Sequence, residues 1–381
     1  MDNLKFIATS TFGLEAVVKR ELTRLGLKVV GGGDGRVEFV GSMYDMAMAN
    51  VNLRASDRVQ LVMGEFEATT FEELFEQTKA LPWEDFIPEN GKFTVDGKSV
   101  KSTLFSVPNC QSIVKKAVVE RLKAKYKTEW FKEDGAIYKI QIALLKDKAT
   151  LTIDTTGVGL HKRGYRPVTV AAPIRETLAA ALVDLSYWKP GRILLDPMCG
   201  SGTIAIEAAL VAKGVPVGAN RHFVSEDWEQ TTDEMWEKAR AKTTTYKDET
   251  PGIKIYASDI DPYVIAAARE NAKNAGVADM IEFSVADVGK MKIADLPGDI
   301  GVLITNPPYG QRIGELDEIH RAYSALKRLV PKKSLWSAYV ITSDEDFQAH
   351  FGRKADAKRK LFNGATKTDY YQYHGPKPVK F

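Results

Sequence analysis

The chain has 381 residues, 44% of them hydrophobic, and a formal net charge of +3. This length allows two or three separate cores, and the small net charge leaves the kind of partner open. With only two cysteines, no metal-ligand cluster, no N-terminal leader pattern and no membrane-length apolar run, the sequence predicts a cytoplasmic protein without disulfides or metal.

The first region, residues 1–52, alternates strand-like runs with a helical run. "KFIATS" and "RVEFVG" are typical of strands, and "GLEAVVKRELTRLG" has apolar residues at helical spacing, so we predict a small α+β unit. The glycine-rich "GGGDG", Gly31 to Gly35, has the composition of a phosphate loop. A strand follows it instead of a helix, so we interpret it as a hairpin.

The second region, residues 53–157, mixes predicted helices and strands. Its last run, "YKIQIALLKDKATLTIDTT", predicts a hairpin that turns at Lys146 to Lys148. The preceding run, "NCQSIVKKAVVERLKAKY", is a strongly basic helix with Lys115, Lys116, Arg121, Lys123 and Lys125, followed by Lys127. Such a charge run is typical of a solvated helix face, and a surface that binds a nucleic-acid backbone is the alternative.

A basic patch, "HKRGYR", lies at the start of the third region. It contains Lys162, Arg163, Tyr165 and Arg166, and an alanine-rich helix follows it. The patch is either a linker that packs on its neighbours or a surface that touches phosphates and a base together. The patch alone favours neither interpretation.

The third region, residues 158–381, alternates strands and helices as a doubly wound α/β sheet does. The predicted strands are "RILLDPMC", "KIYASDI", "IEFSVADV" and "IGVLITNPP", with helices "GTIAIEAALVA" and "PYVIAAARENAKNAG" between them. An insertion from about Gly214 to Gly252 is expected to form a helix of its own. Asn363-Gly364 between two strand-like runs predicts a closing hairpin.

The turn "DPMCGSGT" after the first of these strands is a candidate ligand loop. Gly200, Gly202 and Ala205 have the spacing of a dinucleotide fingerprint, so a nicotinamide cofactor is one possibility. Carboxylates, however, follow three successive strands, and the carboxyl ends of parallel strands meet at one edge of a sheet: Asp196, Asp259, Asp261 and Asp287.

These acids favour S-adenosylmethionine over a dinucleotide. Several carboxylates would repel a pyrophosphate, whereas S-adenosylmethionine carries a cationic sulfonium and an ammonium and has no phosphate. We therefore predict a donor site from the acids together with Pro197, Gly200, Gly202 and Thr203 of the turn, and Asn306 beyond the fourth strand. Each single acid is also explained by a helix cap.

The fourth strand ends in "NPPYG", which is a candidate catalytic motif. Exocyclic amines of guanine and adenine are poor nucleophiles because their lone pair is delocalised into the ring. The amide oxygen of Asn306 and the backbone carbonyl of Pro307 would hold the amino hydrogens, while Pro308 fixes the backbone and Tyr309 offers a stacking face. Proton loss can follow methyl transfer, so no strong base is required, and we interpret Cys199 as a packing residue.

With "DPMCGSGT", "SDIDP", "NPPYG" and "LHKRGYR", the sequence resembles the bacterial 23S ribosomal RNA guanine-N2 methyltransferases that carry a THUMP domain. The resemblance covers nearly the whole chain and is closest to the stand-alone forms without a second methyltransferase domain. It implies a ferredoxin-like unit at 1–52, an RNA-binding THUMP domain at 53–157 and a Rossmann-like methyltransferase domain at 158–381.

The resemblance also implies roles for individual residues. Asp196, Gly200 and Gly202 would line the methionine part of the donor, Asp261 would hold the ribose and Asp287 the adenine, while Asp259 braces the second strand. Asn306 to Tyr309 would hold a target base that swings out of its stack. The basic helix and the basic patch become expected contacts to 23S rRNA or a large-subunit precursor.

Several alternatives stay open at this point. The two acceptors of Asn306 and Pro307 form a clamp for an exocyclic amine. The same clamp suits adenine N6, guanine N2 of tRNA, or a protein glutamine, and guanine is favoured only by the family resemblance. An RNA-binding or ribosome-assembly protein with an inactive methyltransferase fold is the alternative of another class, and the intact acids and clamp count against it.

Overall fold

The computed structural model describes residues 3–166, 174–242, 254–308, 315–332 and 334–376. The chain divides into two compact units. Unit 1 comprises Met1–Ser10, Val18–Leu160 and Gly218–Lys242. Unit 2 comprises Thr11–Val17, His161–Val217 and Thr243–Phe381.

The elements follow one another along the chain in this order. The first half contains β1 (Leu4–Thr9), α1 (Glu15–Arg24), β2 (Lys28–Gly33), β3 (Arg36–Gly41), α2 (Met43–Asn52), β4 (Arg58–Glu67), α3 (Phe71–Lys79), β5 (Lys92–Val100), α4 (Val107–Tyr126), β6 (Ile137–Leu145) and β7 (Lys148–Asp154). The second half contains α5 (Glu176–Leu185), β8 (Ile193–Asp196), α6 (Thr203–Ala212), α7 (Asp233–Ala241), β9 (Ile255–Asp259), α8 (Pro262–Asn274), β10 (Ile281–Val285), β11 (Gly301–Thr305), α9 (Glu315–Leu329), β12 (Ser337–Thr342), α10 (Phe347–Phe351), β13 (Ala357–Asn363) and β14 (Thr366–Tyr373).

Unit 1 is built on one seven-stranded sheet in the order β2-β3-β1-β4-β7-β6-β5. Both predicted hairpins are confirmed: β2 pairs with β3 around Asp34 and Gly35, and β6 pairs with β7 around Lys146 and Asp147, which have positive φ. The central strand β4 is antiparallel to β1 on one side and to β7 on the other. The first and second sequence regions therefore share a single sheet.

The predicted insertion in the third region contains α7, and the part at Gly218–Lys242 belongs to unit 1. The Gly218 amide donates to the Val51 carbonyl at 2.9 Å, and the Trp228 ring stacks on Tyr138 with centroids 4.9 Å apart. These are long-range contacts that local sequence patterns do not predict. The contiguous boundaries drawn from the sequence for the three domains stay predictions.

Unit 2 contains the predicted doubly wound sheet, in the order β10-β9-β8-β11-β12-β14-β13. The strands from β10 to β12 are parallel, and the closing hairpin β13–β14 joins β12 in antiparallel orientation. Apolar side chains of β11, α9 and β12 share one core, in which Leu303, Leu329 and Val340 have no exposed surface. No helix in the described parts of the chain combines the length and apolar character needed to cross a membrane.

Candidate functional site

The carboxyl ends of four parallel strands bring the predicted site residues to one edge of the unit 2 sheet. Asp196 ends β8, and Asp259 ends β9 opposite Val285 of β10. β11 lies on the other side of β8 and ends at Thr305, directly before Asn306. The structure thus places the acids and the asparagine motif along the same edge, as the strand-end rule predicts.

Asp196 is a buried acid at the centre of this edge, with 1% of its surface exposed. Its Oδ1 accepts hydrogen bonds from the Thr305 hydroxyl at 2.8 Å and from the Met198 amide at 3.3 Å. Burial raises the pKa of the Asp196 carboxyl to about 7, because the two hydrogen bonds offset only part of the desolvation and the charge of Asp259 adds to the rise. A cationic ligand nearby would favour its ionised form.

The glycine turn is already bonded to a carboxylate. The Gly200 amide donates to Asp259 Oδ2 at 3.0 Å, and the Asp261 amide donates to Asp259 Oδ1 at 3.2 Å. A dinucleotide needs such loop amides for its pyrophosphate, and here a negative group holds one of them. This arrangement counts against the nicotinamide alternative and supports a ligand without phosphate.

Gly200 and Gly202 of the turn lack a side chain for different structural reasons. Gly200 has φ +53°, and a Cβ there would meet nothing within 4 Å in the described structure, so the backbone is open to a ligand. Gly202 has φ +81° and precedes α6; its Cβ would lie 3.2 Å from Ala268 Cβ and 3.3 Å from the Phe283 ring. Gly202 is therefore required for close packing of the helix start.

Three more of the predicted donor-binding residues are engaged within the protein. The Asp261 Oδ1 accepts from the Tyr263 amide at 2.8 Å and caps α8, and the Asp287 Oδ1 accepts from the Gly289 amide at 2.8 Å. The Thr203 hydroxyl is buried and lies 3.3 Å from Arg166 Nη1, which donates to it. Each acid has a local structural function. The second oxygen of Asp261 is available for a ligand contact among the described residues, whereas Asp287 Oδ2 lies 3.9 Å from Lys290 Nζ.

The predicted catalytic motif is described from Asn306 to Pro308. Asn306 is half-buried, and within the described residues its side-chain amide makes no hydrogen bond, so its oxygen is able to accept one from a ligand. Pro307 is buried and Pro308 is exposed. Tyr309 lies outside the described residues, so its predicted stacking role stays a prediction.

Cys199 sits under the same turn, and Pro197 beside it is buried. Burial raises the pKa of the Cys199 thiol well above its usual range, and Asp196 and Asp259 add to this rise. The thiolate needed for nucleophilic catalysis is thus strongly disfavoured. This agrees with the interpretation of Cys199 as a packing residue.

The prediction that Arg163 and Tyr165 touch RNA is wrong in this structure. Arg163 Nε pairs with Glu207 Oε1 at 3.2 Å, and the two side chains are 2% and 0% exposed. The Tyr165 hydroxyl donates to the same oxygen at 3.0 Å. A buried charge needs an opposite charge, and Glu207 of α6 supplies it. Arg163 and Tyr165 therefore bind Glu207 in the interior of unit 2.

Arg166 belongs to this correction as well. Its Nη2 pairs with Glu176 Oε1 at 3.0 Å, with 12% and 5% of the two side chains exposed. Lys162, in contrast, is exposed. A sequence signal for the buried network existed: Glu207 is the single charge in the apolar helix "TIAIEAALVA", which is typical of a buried partner for a cation.

The basic helix α4 has both paired and exposed cations. Arg121 forms two bonds with Glu84, at 2.9 and 2.5 Å, and Lys123 pairs with Glu129 at 2.7 Å. Lys115 and Lys116 are exposed, and Lys116 Nζ lies 5.5 Å from the Phe75 ring centroid. Lys115 and Lys116 thus stay the stronger candidates for contact with a polyanion, while Arg121 is committed to a structural pair.

Sequence patterns missed Thr305, whose hydroxyl connects the end of β11 to Asp196. A threonine at the end of an apolar strand gave no chemical signal, because only the register of β8 and β11 brings it to the acid. Among the described residues, no group of three or more His, Cys, Asp or Glu side chains is arranged to hold a metal ion.

Three family models match the chain in succession. Residues 5–60 match the RlmL ferredoxin-like domain, 68–154 the THUMP domain and 163–372 the methyltransferase domain described as RMKL-like. The chain is 49% identical over 377 residues to "Putative RNA methyltransferase YpsC" of Bacillus subtilis (strain 168), covering 98% of this chain and 96% of that protein.

A second relative is the "Ribosomal RNA large subunit methyltransferase K/L" of Syntrophotalea carbinolica (strain DSM 2380 / NBRC 103641 / GraBd1), at 33% identity over 374 residues. The match covers 95% of this chain and 52% of that protein, so the chain spans about half the length of this relative.

Two solved structures are similar over nearly the full length. The crystal structure of "SMU.472, a putative methyltransferase complexed with SAH" superposes with a TM-score of 0.90 at 39% identity and 100% coverage of both chains. A "predicted N6-adenine-specific DNA methylase" from Listeria monocytogenes str. 4b F2365 has a TM-score of 0.91 at 46% identity and covers 98% of this chain and 97% of its own.

Proposed function

This chain belongs to the RMKL-like methyltransferase family with a RlmL ferredoxin-like domain and a THUMP domain, and from that premise we propose that it methylates RNA with S-adenosylmethionine. The finer proposal is that the methyl group goes to the exocyclic N2 of a guanine in 23S rRNA or its precursor. The observation that carries it is the position of Asn306 beside the acidic strand ends, where its side chain makes no hydrogen bond to another described residue.

The residues at the edge of the sheet suit S-adenosylmethionine. Asp196 is buried with a raised pKa, so a sulfonium or ammonium group nearby would relieve the cost of its ionisation. Asp259 holds the glycine turn, Asp261 has one oxygen available among the described residues, and Gly200 leaves its backbone open. Asp287 Oδ2 has only a long contact of 3.9 Å with the exposed Lys290, which a ligand could replace. S-adenosylmethionine supplies an activated methyl group, and the SAH bound by the similar SMU.472 is the product that remains when this group is lost.

The chain's own contribution to the reaction is orientation. The Asn306 amide oxygen and the Pro307 carbonyl would accept the two hydrogens of an exocyclic amine, which draws the nitrogen lone pair out of the ring and aims it at the methyl carbon. The Thr305 hydroxyl donates a hydrogen bond to Asp196 Oδ1 at 2.8 Å. This bond fixes the residue directly before Asn306 next to an acid of the proposed donor site. The amine proton leaves after transfer, so no base of high pKa is needed.

RNA as the substrate is supported by the THUMP domain and by the names of the two relatives, both of which are called RNA methyltransferases. A large-subunit rRNA target is supported by the K/L relative, of which this chain spans about half. Adenine N6 is the second candidate, because the similar Listeria monocytogenes protein is described as an adenine-specific methylase and the same clamp suits that amine.

The decisive experiment is methyl transfer from labelled S-adenosylmethionine to rRNA from cells that lack the protein, followed by nucleoside analysis. We expect N2-methylguanosine from the unchanged protein. Asn306→Ala should lower kcat by about 100-fold or more, as loss of an oriented polar group commonly does, with an unchanged Kd for the donor. Glu270→Ala, which alters an exposed side chain on α8, is the control and should retain full activity.

Each other outcome identifies the part that fails. N6-methyladenosine as the product would replace guanine by adenine. Near-normal turnover by Asn306→Ala would refute the proposed role of Asn306 in holding the amine. If calorimetry showed no binding of S-adenosylmethionine to the unchanged protein, the donor site itself would be refuted.

A further inference from the structure

The closing hairpin β13–β14 extends beyond the edge of the sheet that carries Asn306. Thr305 pairs with Val340 of β12, and Thr342 at the end of β12 pairs with Asp369 of β14. The hairpin continues past that level to the pair Phe362 and Lys367, which adds roughly 7 Å at about 3.3 Å per residue. The hairpin tip therefore projects on the side where the substrate would enter.

The lateral distance is also suitable for a substrate contact. Only β12 separates β14 from β11, and neighbouring strands lie about 4.8 Å apart, so β14 is roughly 10 Å from β11 across the sheet. A base held at Asn306 would have its neighbouring nucleotides within reach of the tip.

The tip presents cations and an aromatic ring on one face. Residues that alternate along a strand, and residues paired across strands, share a face, which groups Lys360, Phe362 and Lys367. Lys367 pairs with Glu345 at 2.6 Å. Lys360 Nζ lies 5.4 Å from the Phe362 ring centroid, and no carboxylate in the described structure pairs with it. Lys360 is thus the cation of the tip that is available to a phosphate.

A second ring joins the tip from the Thr11–Val17 segment of unit 2. Phe12 is 53% exposed and meets the Phe362 ring edge-on, with centroids 6.2 Å apart. The segment is held in place by Arg359 Nη1, which donates to the Gly13 carbonyl at 3.2 Å, and by the absence of a side chain at Gly13, where a Cβ would lie 2.6 Å from the Lys360 oxygen. An exposed ring on a fixed backbone is suited to stacking.

We propose that this hairpin tip, formed by Phe12, Lys360 and Phe362, binds the single-stranded RNA that flanks the target base. The proposal rests on the proposed function, because it names a contact of the same substrate outside the donor and base sites. A flat face beside a free cation is the combination that proteins use for unpaired nucleotides: the ring stacks on a base and the lysine contacts a phosphate.

The test uses the full chain with Phe12→Ala and Lys360→Gln, since both side chains are on the surface. Tyr187→Ala and Lys332→Gln are the controls. Tyr187 is 61% exposed and precedes β8, and Lys332 is exposed and precedes β12, so both lie at the opposite edge of the sheet. Far-ultraviolet circular dichroism and the Kd for S-adenosylmethionine show that each variant is folded and retains its donor site.

With rRNA from cells that lack the protein as the probe, Phe12→Ala should raise the KM for RNA by about 5- to 100-fold, the loss that one base stack gives. Lys360→Gln should reduce the slope of log Kd against log salt by about 0.7, the value for one lost phosphate contact on a single strand. kcat should stay unchanged in both variants, and both controls should match the unchanged protein.

The outcomes separate this proposal from the proposed function. Unchanged KM and salt slope in both variants overturn the hairpin contact while methyl transfer to guanine stands. If a different base is methylated and the expected KM effects are seen, guanine is refuted as the target base and the hairpin contact stands. An effect on intact ribosomal particles that is absent on free RNA would assign the tip to a protein partner and overturn the RNA contact, and failure of the unchanged protein to bind RNA overturns both.

Discussion

At the scale of single residues, Asp196 combines a cost to stability with a use in binding. A carboxyl group with 1% exposure and a pKa of about 7 takes up a proton when the chain folds between about pH 4 and pH 7. Stability therefore falls as the pH rises through this window, because the unfolded chain ionises freely and the folded chain does not. A residue kept at such a cost is typical of a functional site.

We predict that Asp196→Asn raises the free energy of unfolding of unit 2 at pH 8 and weakens donor binding. The shift from 3.8 to about 7 corresponds to a penalty on the order of 4 kcal/mol at pH 8, and less than half of it remains at pH 5. Denaturant titrations at both pH values measure this difference. Asp279→Asn, at an exposed carboxylate, is the control for loss of surface charge. A stability gain of equal size at pH 5 and pH 8 would contradict the raised pKa.

At the scale of elements, local patterns predicted the structure of those segments whose own periodicity and turn residues determine it. The amphipathic α3, the basic α4 and the β6–β7 hairpin needed only periodicity and turn residues. The same patterns placed the acids at one edge, because parallel strands align their ends. They did not predict that Arg163 pairs with Glu207 inside unit 2, because the partner is distant in sequence and burial decides the role.

We predict that Gly202→Ala destabilises the start of α6 by about 2–4 kcal/mol. A positive φ of +81° costs about 1 kcal/mol for alanine, and the contacts at 3.2 and 3.3 Å add an overpacking cost. Gly276→Ala is the matched control, since Gly276 has φ +69° and its Cβ would meet nothing within 4 Å in the described structure. Denaturant unfolding measures both variants, and equal losses would show that packing contributes nothing at Gly202.

At the scale of the whole molecule, sequence order and compact units do not coincide. Gly218–Lys242 lies between α6 and β9 in sequence, yet it belongs to unit 1. Trp228 in this segment is 2% exposed, stacks on Tyr138 and donates its Nε1 hydrogen to the Ile137 carbonyl at 3.1 Å. The sequence indicated an insertion with a helix, and only contacts between distant residues could show which core it completes.

We predict that Trp228→Ala lowers the stability of unit 1 by about 3–5 kcal/mol, as removal of a buried large ring does. Hydrogen exchange of the β6 amides should accelerate accordingly. Trp130→Ala is the control, because Trp130 is 80% exposed and its loss should change stability by less than about 0.5 kcal/mol. Unchanged exchange in β6 after Trp228→Ala would contradict the assignment of this segment to the core of unit 1.

The shared strand β4 has a consequence for how this protein can be recombined with its relatives. The matches to the two N-terminal family models end at residue 60 and resume at residue 68, so a crossover placed between them would cut β4, which is Arg58–Glu67. Its pairings to β1 and β7 would then come from different parents and would have to match in register. Chimeras should inherit residues 5–154 as one block, together with Gly218–Lys242, which belongs to the same unit.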